Sequence, residues 1–574
     1  MWNINVNGYV EVNFANIWKP LEGLRYRLNV GYNYSPKRES TYQGRAANDN
    51  NGTADIFNSD TQTRLIENLL YYDRDFGMHH IGLTFLQAAM RKKYSENTSH
   101  ATKFINDELL WNSLVNGETP SVKSYADLRT TSSLMARVNY SFDSRYLFTF
   151  TVRRDGSSVF GKNNKYGTFP SVALGWNIAR ENFMENTRRW LDNLKLRVSY
   201  GKAGNEAISV YETLTKLSTI KFVMDGGSVV GLLPTDRMGN DNLSWETTKT
   251  FNVGVDFGVL NNRINGNIDF YSARTSDLLL LRRLPNLSGN TDVYANMGKT
   301  ANHGIDVTIN SHNIVTRDFT WTTGLVFSWN HNEIKELYGD GQDDRGNRWF
   351  IGENINSVFD YDMVGIWQED EIERGDHLDW DPVAEAGDVK IADRDHNGKI
   401  DDDDRYVKGQ TTPKWTGGLT NTFSYKGFNL SIFIQTAQGQ MAWNGLKGVA
   451  GDEMGRRNMT TEIGYWTPEN RSNEFRSLKK QSNKHGYGYY EDASYTRLKD
   501  VTLSYTFPEN WIRKIGMQSL TVYASGRNLY TWTSWKGWDP EANQTGRGSG
   551  SGINSWENNY PYTRSYLFGL NVSF

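Results

Sequence analysis

The last residues of the chain, TRSYLFGLNVSF, alternate between apolar side chains and side chains that are mostly small or polar. One set of alternate positions is Tyr566, Phe568, Leu570, Val572 and the terminal Phe574. The intervening set includes Ser565, Gly569, Asn571 and Ser573. Successive side chains of a strand point to opposite faces, so the pattern predicts a strand with one face towards lipid and the other towards water.

The same alternation recurs along the chain and is punctuated by residues that favour tight turns. Its apolar positions include Leu134, Ala136, Val138, Tyr140 and Phe142; Tyr146, Phe148, Phe150 and Val152; Phe251, Val253, Val255 and Phe257; Ile264, Ile268 and Phe270; Phe319, Trp321, Leu325, Phe327 and Trp329; and Val501, Leu503, Tyr505 and Phe507. Turns are predicted at Asp143-Ser144-Arg145, Asn261-Asn262 and Tyr425-Lys426-Gly427. Such pairs of alternating runs around a short turn predict β-hairpins.

The connections on the opposite side of these hairpins are long. They span about 203–244, 331–412 and 438–492, with shorter ones near 155–167, 275–298 and 532–561. Short turns at one end and long loops at the other are typical of outer-membrane barrels, although a strand of a soluble sandwich alternates in the same way. We therefore predict an all-β fold: a transmembrane, antiparallel β-barrel of the outer membrane with long extracellular loops.

The number of predicted strands indicates whether these residues could close a barrel by themselves. Counting from a first strand near Gly8–Asn16 gives about 17 strands, whereas bacterial single-chain barrels have an even number. We therefore expect residues 1–574 to be the C-terminal part of a barrel whose front is supplied by further residues. The opening MWNINVNGYVEVNF has neither the basic nor the apolar region of a signal peptide, which agrees with an earlier start.

The amino-acid composition limits which classes of protein the chain can belong to. The chain has 574 residues, of which 37% are hydrophobic, and it contains no apolar run long enough for a transmembrane helix. Its 31 Tyr, 19 Trp and 26 Phe suit aromatic girdles at two membrane interfaces, or alternatively a carbohydrate-binding β protein. A net charge of −3 gives no support for a nucleic-acid partner, and the absence of Cys excludes disulfides and thiolate metal sites.

Several stretches resemble the SusC-like family of TonB-dependent outer-membrane transporters of Bacteroidetes. They are RVNYSFDSRYLFTFTVRRDGSSVFGKNNKYGTFP (137–170), LKLRVSYGKAGN (194–205), LPNLSGNTDVYANMGKTANHGID (284–306), GDVKIADRDHNGKIDDDDRYVKGQTTPKWTGGLTNTFSYKGFNLSIFI (387–434), SYTRLKDVTLSYTF (494–507), LTVYASGRNLY (520–530) and the terminal LFGLNVSF. The resemblance runs from about residue 9 to the end of the chain in the order of the family.

The resemblance implies a barrel of about 22 strands that is filled by an N-terminal plug, preceded by a TonB box and covered by a SusD-like lipoprotein lid. It implies uptake of oligosaccharides or peptides across the outer membrane, energised through TonB, without catalytic chemistry. The plug, the TonB box and about five strands have no counterpart in these 574 residues. Partners expected from the family are therefore the lid, TonB through the plug part, membrane lipid and the substrate.

The sharpest local motif is DRDHNGKIDDDD at 393–404, which resembles an EF-hand calcium loop. Its spacing predicts a structural Ca²⁺ whose ligands are Asp393, Asp395, Asn397, the Lys399 carbonyl, Asp401 and Asp404. Position 12 is Asp rather than Glu, so bidentate ligation requires the loop to tighten. A solvated acidic turn is the alternative.

Other candidate sites are weaker. His79 and His80 are adjacent and point to opposite faces of a strand, so they do not share a metal easily. The acidic segment 368–381 could supply paired carboxylates for a glycosidase, but a solvated loop explains it better. The run GRGSGSG at 546–552 lacks the strand and helix that flank a phosphate-binding loop, which favours a mobile loop tip.

Aromatic residues in the predicted loops are candidates for stacking on sugar rings, for contacts with a lid or for packing within the loops. They are Trp349, Phe350, Trp367, Trp380, Trp443, Trp466, Trp532, Trp535 and Trp538. Most are expected to pack within loops or against a lid. Two alternatives to the SusC-like interpretation stay open: a TonB-dependent siderophore or vitamin receptor without a lid, and a secreted carbohydrate-binding or hydrolytic β protein.

Overall fold

The structure is a computed structural model that describes residues 2–47, 51–224, 227–235, 237–285, 287, 289–444, 447–448, 464–478, 482–541 and 561–574. Its strands are β1 (Ile4–Asn13), β2 (Leu24–Gln43), β3 (Thr53–Phe76), β4 (His79–Thr102), β5 (Ser121–Phe142), β6 (Tyr146–Ser157), β7 (Tyr166–Asn177), β8 (Leu191–Asn205), β9 (Leu217–Met224), β10 (Gly227–Pro234), β11 (Arg237–Met238), β12 (Glu246–Val259), β13 (Ile264–Ser276), β14 (Leu279–Arg283), β15 (Asp292–Asn296), β16 (Lys299–Val315), β17 (Phe319–Glu336), β18 (Ser357–Asp360), β19 (Met363–Ile366), β20 (Val389–Ile391), β21 (Tyr406–Gln410), β22 (Trp415–Tyr425), β23 (Phe428–Gln438), β24 (Met441–Trp443), β25 (Tyr490–Asp492), β26 (Tyr495–Thr506), β27 (Ser519–Thr533) and β28 (Ser565–Ser573).

Helical segments are short. Among the described residues, α-helices include Glu369–Arg374 and Glu509–Ile512, and 3-10 turns span Phe14–Asn16, Lys19–Leu21, Arg45–Ala47, Leu110–Asn112, Leu114–Asn116, Ile178–Arg180, Asn182–Thr187, Asp402–Asp404 and Arg513–Ile515. Within the described ranges, no helix combines the length and the apolar character needed to cross a membrane.

Among the described residues, one large sheet contains 17 strands, which confirms the count made from the sequence. They are β1 to β8, β12, β13, β16, β17, β22, β23 and β26 to β28. The chain divides into two compact units: residues 1–185, 195–253 and 273–299 form the first, and residues 186–194, 254–272 and 300–574 form the second.

Neighbours in sequence pair antiparallel within each unit. In the first unit β1 to β8 form seven successive ladders. In the second unit β17, β22, β23, β26, β27 and β28 pair in that order. Antiparallel neighbours can be joined by very short turns, and the predicted hairpins at 143–145, 260–263 and 426–427 are confirmed. Positive φ values at Asp143, Ser144 and Lys426 fit such tight turns.

Connections alternate between a short-turn end and a long-loop end. In the first unit, residues 77–78 and 143–145 are short turns, whereas the connections 206–245 and 277–298 are long. In the second unit, residues 316–318 and 426–427 are short turns, whereas the connections 337–414, 439–494 and 534–564 are long. The long connections agree with the predicted ranges to within a few residues, except that the connection predicted at 331–412 begins at residue 337. Here β17 continues to Glu336, because Ile334 stays buried at the strand end beneath the loop.

One face of the sheet carries exposed apolar side chains. On β28, Tyr566, Phe568 and Leu570 are 67%, 82% and 64% exposed, which confirms the predicted alternation of the terminal strand. Apolar residues exposed in the same way include Val30, Leu83, Phe85, Leu134, Phe148, Phe150, Leu174, Trp176 and Leu503. A soluble sheet would bury such a face, so this is the lipid-facing surface.

The opposite face is polar and hydrogen-bonded. Arg137 donates to Thr151 across β5 and β6 (3.0 Å), and Asn29 donates to Glu67 across β2 and β3 (3.0 Å). Aromatic pairs gather near the short-turn end, including Phe428 with Tyr505, whose ring centroids lie 4.5 Å apart. These features are expected of a barrel wall with a polar interior and an interfacial aromatic girdle.

Two further boundaries differ from the sequence prediction. The first strand spans Ile4–Asn13 rather than Gly8–Asn16, because the side chain of Asn13 accepts a hydrogen bond from the Ala15 N–H and begins a 3-10 turn. Trp532, expected in a loop, lies in β27, since this strand continues to Thr533 opposite Tyr495.

Candidate functional site

The two longest connections of the second unit pack together around a common apolar cluster, here called the loop core. It consists of Tyr361, Ile366, Val389, Ile391, Trp466, Tyr487 and Tyr489. The first four come from the 337–414 connection and the last three from the 439–494 connection. Small hairpins support it, with β18 paired to β21 and β19 paired to β20. The two connections are therefore folded segments that share a hydrophobic core of their own.

Gln368 joins the two connections. It precedes the helix Glu369–Arg374, with a capping box formed with Glu371, and its side chain is buried. Its Nε2 donates to the Ser472 carbonyl (3.1 Å), and its Oε1 accepts from Trp466 Nε1 (3.0 Å). A buried amide with both ends satisfied fixes the geometry of its neighbours, because losing either partner leaves a polar atom unpaired.

The 393–404 loop brings together three of the six predicted calcium ligands. One carboxylate oxygen each of Asp393, Asp395 and Asp404 lies within 4.8 Å of the others. Asp404 is wholly buried and accepts hydrogen bonds from the N–H groups of Arg394 (2.7 Å) and Asp401 (2.8 Å). The tight turn uses Gly398 at a φ of +81°, the backbone conformation that the EF-hand spacing assigns to this position.

The side chains of the other predicted ligands have different partners. Asn397 Oδ1 accepts from the Lys399 N–H (3.0 Å), while the Asp401 carboxylate pairs with Lys399 Nζ and accepts from the Asp403 N–H. The Lys399 hydrogen bond, followed by that of Asp403, lowers the pKa of Asp401. Partial burial acts to raise the pKa of Asp393, but the N–H groups of Gly398 and Asn397 outweigh it and hold that pKa below its usual range. Both carboxylates are thus charged at neutral pH, as cation binding requires.

The aromatic candidates separate by burial. Four are buried: Trp367, Trp466, Trp535 and Phe350. Trp367 lies 5.5 Å from the Trp380 ring, and Lys390 Nζ lies 4.1 Å above the Trp367 ring. Trp349, Trp380 and Trp443 are half-buried, while Trp532 and Trp538 are 50% and 65% exposed. Packing within the loops therefore accounts for the buried group. Among these nine candidates, Trp532 and Trp538 present the most exposed rings to a ligand or lid.

The acidic segment 368–381 forms ion pairs. Glu371 pairs with Lys390 (2.7 Å), Asp370 pairs with Arg471 (2.6 Å), and the buried Asp381 lies 3.0 Å from His485 Nε2. Hydrogen bonding by Arg374, the largest influence, lowers the pKa of Asp370. Carboxylates engaged in this way do not form the opposed pair of a glycosidase.

The structure contains two further ionic clusters that the sequence pattern did not predict. Arg497 on β26 is buried and contacts Asp539 and Glu541 of the 534–564 connection. Lys447 is buried between Glu474 (2.8 Å) and Glu491 (2.6 Å). Burial acts to lower the pKa of Lys447, but the two carboxylates outweigh it and raise that pKa. Arg497 is a charged residue within an otherwise alternating strand, and this is the sequence feature that indicates an ionic contact. The sequence does not identify its partner.

His79 and His80 have separate partners, as expected. His79 Nδ1 lies 2.8 Å from the Tyr140 hydroxyl, whereas His80 Nδ1 lies 2.8 Å from Asp75. The Gly-rich run at 546–552 lies outside the described residues.

The sheet of the second unit also carries an open recess of about 360 Å³. It is lined by residues of β16, β17, β22 and β23, among them Asp306, Val326, Ser328, Thr416, Phe433 and Gln435. Ser328 donates to Asp306 at its edge (2.6 Å). Apolar and hydrogen-bonding groups thus lie side by side on the polar face of the sheet.

The sequence profile of a family described as TonB dependent receptor-like, beta-barrel matches residues 2–529. TonB-dependent receptor P3 of Formosa agariphila is 35% identical, over 98% of this chain and 58% of the relative. TonB-dependent receptor SusC of Bacteroides thetaiotaomicron is 32% identical, over 79% of this chain and 44% of the relative. The chain thus spans about half the length of the curated relatives it matches.

Among solved structures, the RagAB peptide transporter superposes with a TM-score of 0.81 at 26% identity. The match covers 100% of this chain and 62% of the other chain. The RagAB peptide importer in its 'open-open' state gives the same TM-score. The similarity therefore extends over the sheet and its long connections together.

Proposed function

Because the chain belongs to the TonB-dependent receptor-like β-barrel family and is an outer-membrane protein, we propose that it forms the barrel wall of a SusC-like importer. The importer takes up oligosaccharides or peptides that are too large for diffusion porins. A SusD-like lipoprotein lid covers its long loops, and TonB supplies energy through a plug.

The observation that carries this proposal is the match to the RagAB peptide transporter over the whole chain at a TM-score of 0.81. The match covers 100% of this chain, so the compared region includes the long connections, and loops vary more among related proteins than the strands they join. The loop core and the buried Gln368 support it, since rigid loops can present a fixed surface to a lid and a substrate.

The family consists of transporters, and we assign no catalytic step to this chain. The carboxylates of 368–381 that are closest to the loop core are held in ion pairs. Of the two alternatives, the secreted β protein is wrong, because the chain belongs to an outer-membrane family. The receptor without a lid is the competing outcome of the experiment below.

Purification of the intact complex from outer membranes in mild detergent tests the proposal. We expect a lipoprotein to copurify in equal amount. Denaturation of the complex should release bound peptides or oligosaccharides, which mass spectrometry then identifies. Peptides alone would match the substrate class of the RagAB peptide transporter. A receptor that purifies without a lipoprotein and supports growth only by supplying chelated iron or a vitamin would overturn it.

We also propose that the 393–404 loop binds a structural Ca²⁺. Support comes from the converging carboxylates of Asp393, Asp395 and Asp404, together with the turn at Gly398. In the EF-hand arrangement the Lys399 carbonyl and Asn397 complete the ligands, and Asp401 acts through water. Without a cation, charged carboxylates this close together repel one another, so bound Ca²⁺ brings the loop to its lowest free energy.

Calcium titration of the purified protein checks this second proposal. We expect Asp404→Asn to weaken binding and Asp402→Asn to leave it unchanged, since the Asp402 side chain is 76% exposed and pairs with Arg405. Chelation should speed proteolysis within the loop for the native protein. Unchanged proteolysis after chelation, or equal Ca²⁺ affinity of the Asp404→Asn variant, would refute it.

A further inference from the structure

Three cationic side chains lie together on one face of the β3–β4 hairpin. Arg64 of β3 is directly opposite Arg91 of β4, and Lys93, two residues further along β4, is opposite Gln62. All three cationic residues are exposed. Like charges at directly opposed positions of an antiparallel pair destabilise the pair unless a counter-ion neutralises them. We call Arg64, Arg91 and Lys93 the outer cationic patch.

The outer cationic patch is on the lipid-facing side of the sheet. Arg64 is in phase with Ile66, which is 49% exposed, and Arg91 is in phase with Phe85, also 49% exposed. Asn68 and Gln87 lie on the same face, between the patch and the 77–78 turn. They are hydrogen-bonded to each other (2.7 Å), so these two polar side chains satisfy one another within the apolar surface. The intervening Lys92 is on the other face.

The height of the patch matches the upper boundary of a bilayer. Arg64 lies twelve residues before the end of β3, and Arg91 lies twelve residues after the start of β4, both counted from the 77–78 turn. At a rise of about 3.4 Å per residue and a tilt near 40°, twelve residues span about 30 Å perpendicular to the membrane. Tyr32, opposite Arg64 on β2, adds an aromatic side chain of the kind enriched at membrane interfaces.

Within the described residues, no side chain forms an ion pair with the patch. Across the described part of the chain, no ion pair or hydrogen bond from a side chain of Arg64, Arg91 or Lys93 is formed. Asp60, on the same face and four residues nearer the long loops than Arg64, accepts a hydrogen bond from Ser95 (2.7 Å). The three cations are therefore left to an external anion at the level of the lipid headgroups.

We propose that the outer cationic patch binds the phosphate group of an anionic lipid in the outer leaflet. The acyl chains of that lipid lie against the apolar belt around Ile66 and Phe85, and its phosphate lies between Arg64 and Arg91. Arginine suits this role because its planar fork makes two hydrogen bonds to phosphate. Lys93 supplies a third positive charge beside them.

Binding of synthetic, doubly phosphorylated lipid A to the intact delipidated protein tests the proposal. Each cation near an anionic lipid surface contributes about fivefold in affinity, so Arg64→Gln/Arg91→Gln should bind at least about tenfold more weakly. Lys92→Gln is the matched control, because it removes a neighbouring charge from the opposite face and should bind as the native protein does. Dephosphorylated lipid A should bind weakly to all three proteins.

Equal affinity of the native and double-variant proteins for lipid A would overturn the proposal. So would equal binding of the phosphorylated and dephosphorylated lipids, which would show that the apolar belt alone retains them. Inorganic phosphate at matching concentration should not displace the lipid, and displacement would indicate a site for free phosphate instead. If the double Gln variant fails to assemble, Arg64→Lys/Arg91→Lys keeps both charges and should retain binding, and loss of binding there would contradict a charge-based site.

Discussion

The guanidinium of Arg497 lies 2.7 Å from the carboxylate of Asp539, and both side chains are buried. The same guanidinium lies 2.6 Å from Glu541, and its Nε donates to Thr531 (2.8 Å). The arginine belongs to β26, whereas both acids belong to the connection that follows β27. One side chain therefore fastens the 534–564 connection to the sheet.

Removal of Arg497 should release that connection. Arg497→Ala leaves the buried Asp539 without its arginine and leaves Glu541 with Lys499 alone. Breaking a buried ion pair by removing one partner costs about 3–5 kcal/mol. We expect a lower thermal midpoint and faster proteolysis between residues 534 and 564. Arg513→Ala is the control, because its pair with Glu509 is largely exposed and contributes at most about 1 kcal/mol. Equal effects of the two substitutions would refute the anchoring role.

Leu570 should be sensitive to charge. Its side chain is 64% exposed on the lipid-facing side of β28, so Leu570→Arg should cost about 2–4 kcal/mol if the site is near the bilayer midplane. Unfolding of the protein in lipid vesicles measures this cost. Asn571→Arg places the same charge on the polar face and should have a much smaller effect. Normal assembly and stability of the Leu570 variant would contradict the assignment of the lipid face.

Gly387 should tolerate no side chain. Its φ is +89°, and a Cβ atom there would collide with Trp466 Cε3 and approach Ser477 Cβ to 2.7 Å. Gly387→Ala combines a strained backbone with overpacking of the loop core, and overpacking alone costs about 1–3 kcal/mol. Gly486→Ala has a similar φ of +75° but meets no atom within 4 Å, so it reports the strain alone. Tryptophan fluorescence during thermal unfolding should show the larger loss for Gly387→Ala, and equal losses would mean that the contact with Trp466 relaxes freely.

Acidification should weaken the link between the 439–494 and 534–564 connections. The Lys447 and Lys536 hydrogen bonds lower the pKa of Glu474, so its contribution to stability is present above its unfolded pKa of about 4.3 and is lost as the pH falls through the lower, folded value. The native protein should therefore be more stable than Glu474→Gln at pH 7, by less than about 1 kcal/mol per pair, and the difference should shrink below about pH 4. Thermal midpoints of both proteins across this range measure it. A difference that is constant with pH would show that the Glu474 charge is not responsible.

The sequence by itself determined the sheet. Alternation such as that of Tyr566, Phe568 and Leu570 is a local property with a period of two, and turns such as Asp143-Ser144 act over a few residues. Strand number, hairpin order and the positions of the long connections follow from these short-range patterns. The 393–404 motif was readable for the same reason, because its residues are close together in sequence.

Only the tertiary structure decided how the long connections are built. Trp466 is buried because it reaches Gln368, which is 98 residues away, and Arg497 is buried because it meets Asp539 across another connection. Within the 393–404 motif, the structure brings Asp393, Asp395 and Asp404 together while Asp401 pairs with Lys399. The physical reason is that such contacts depend on which side chains exclude water from one another in three dimensions, and a one-dimensional pattern carries no record of distant partners.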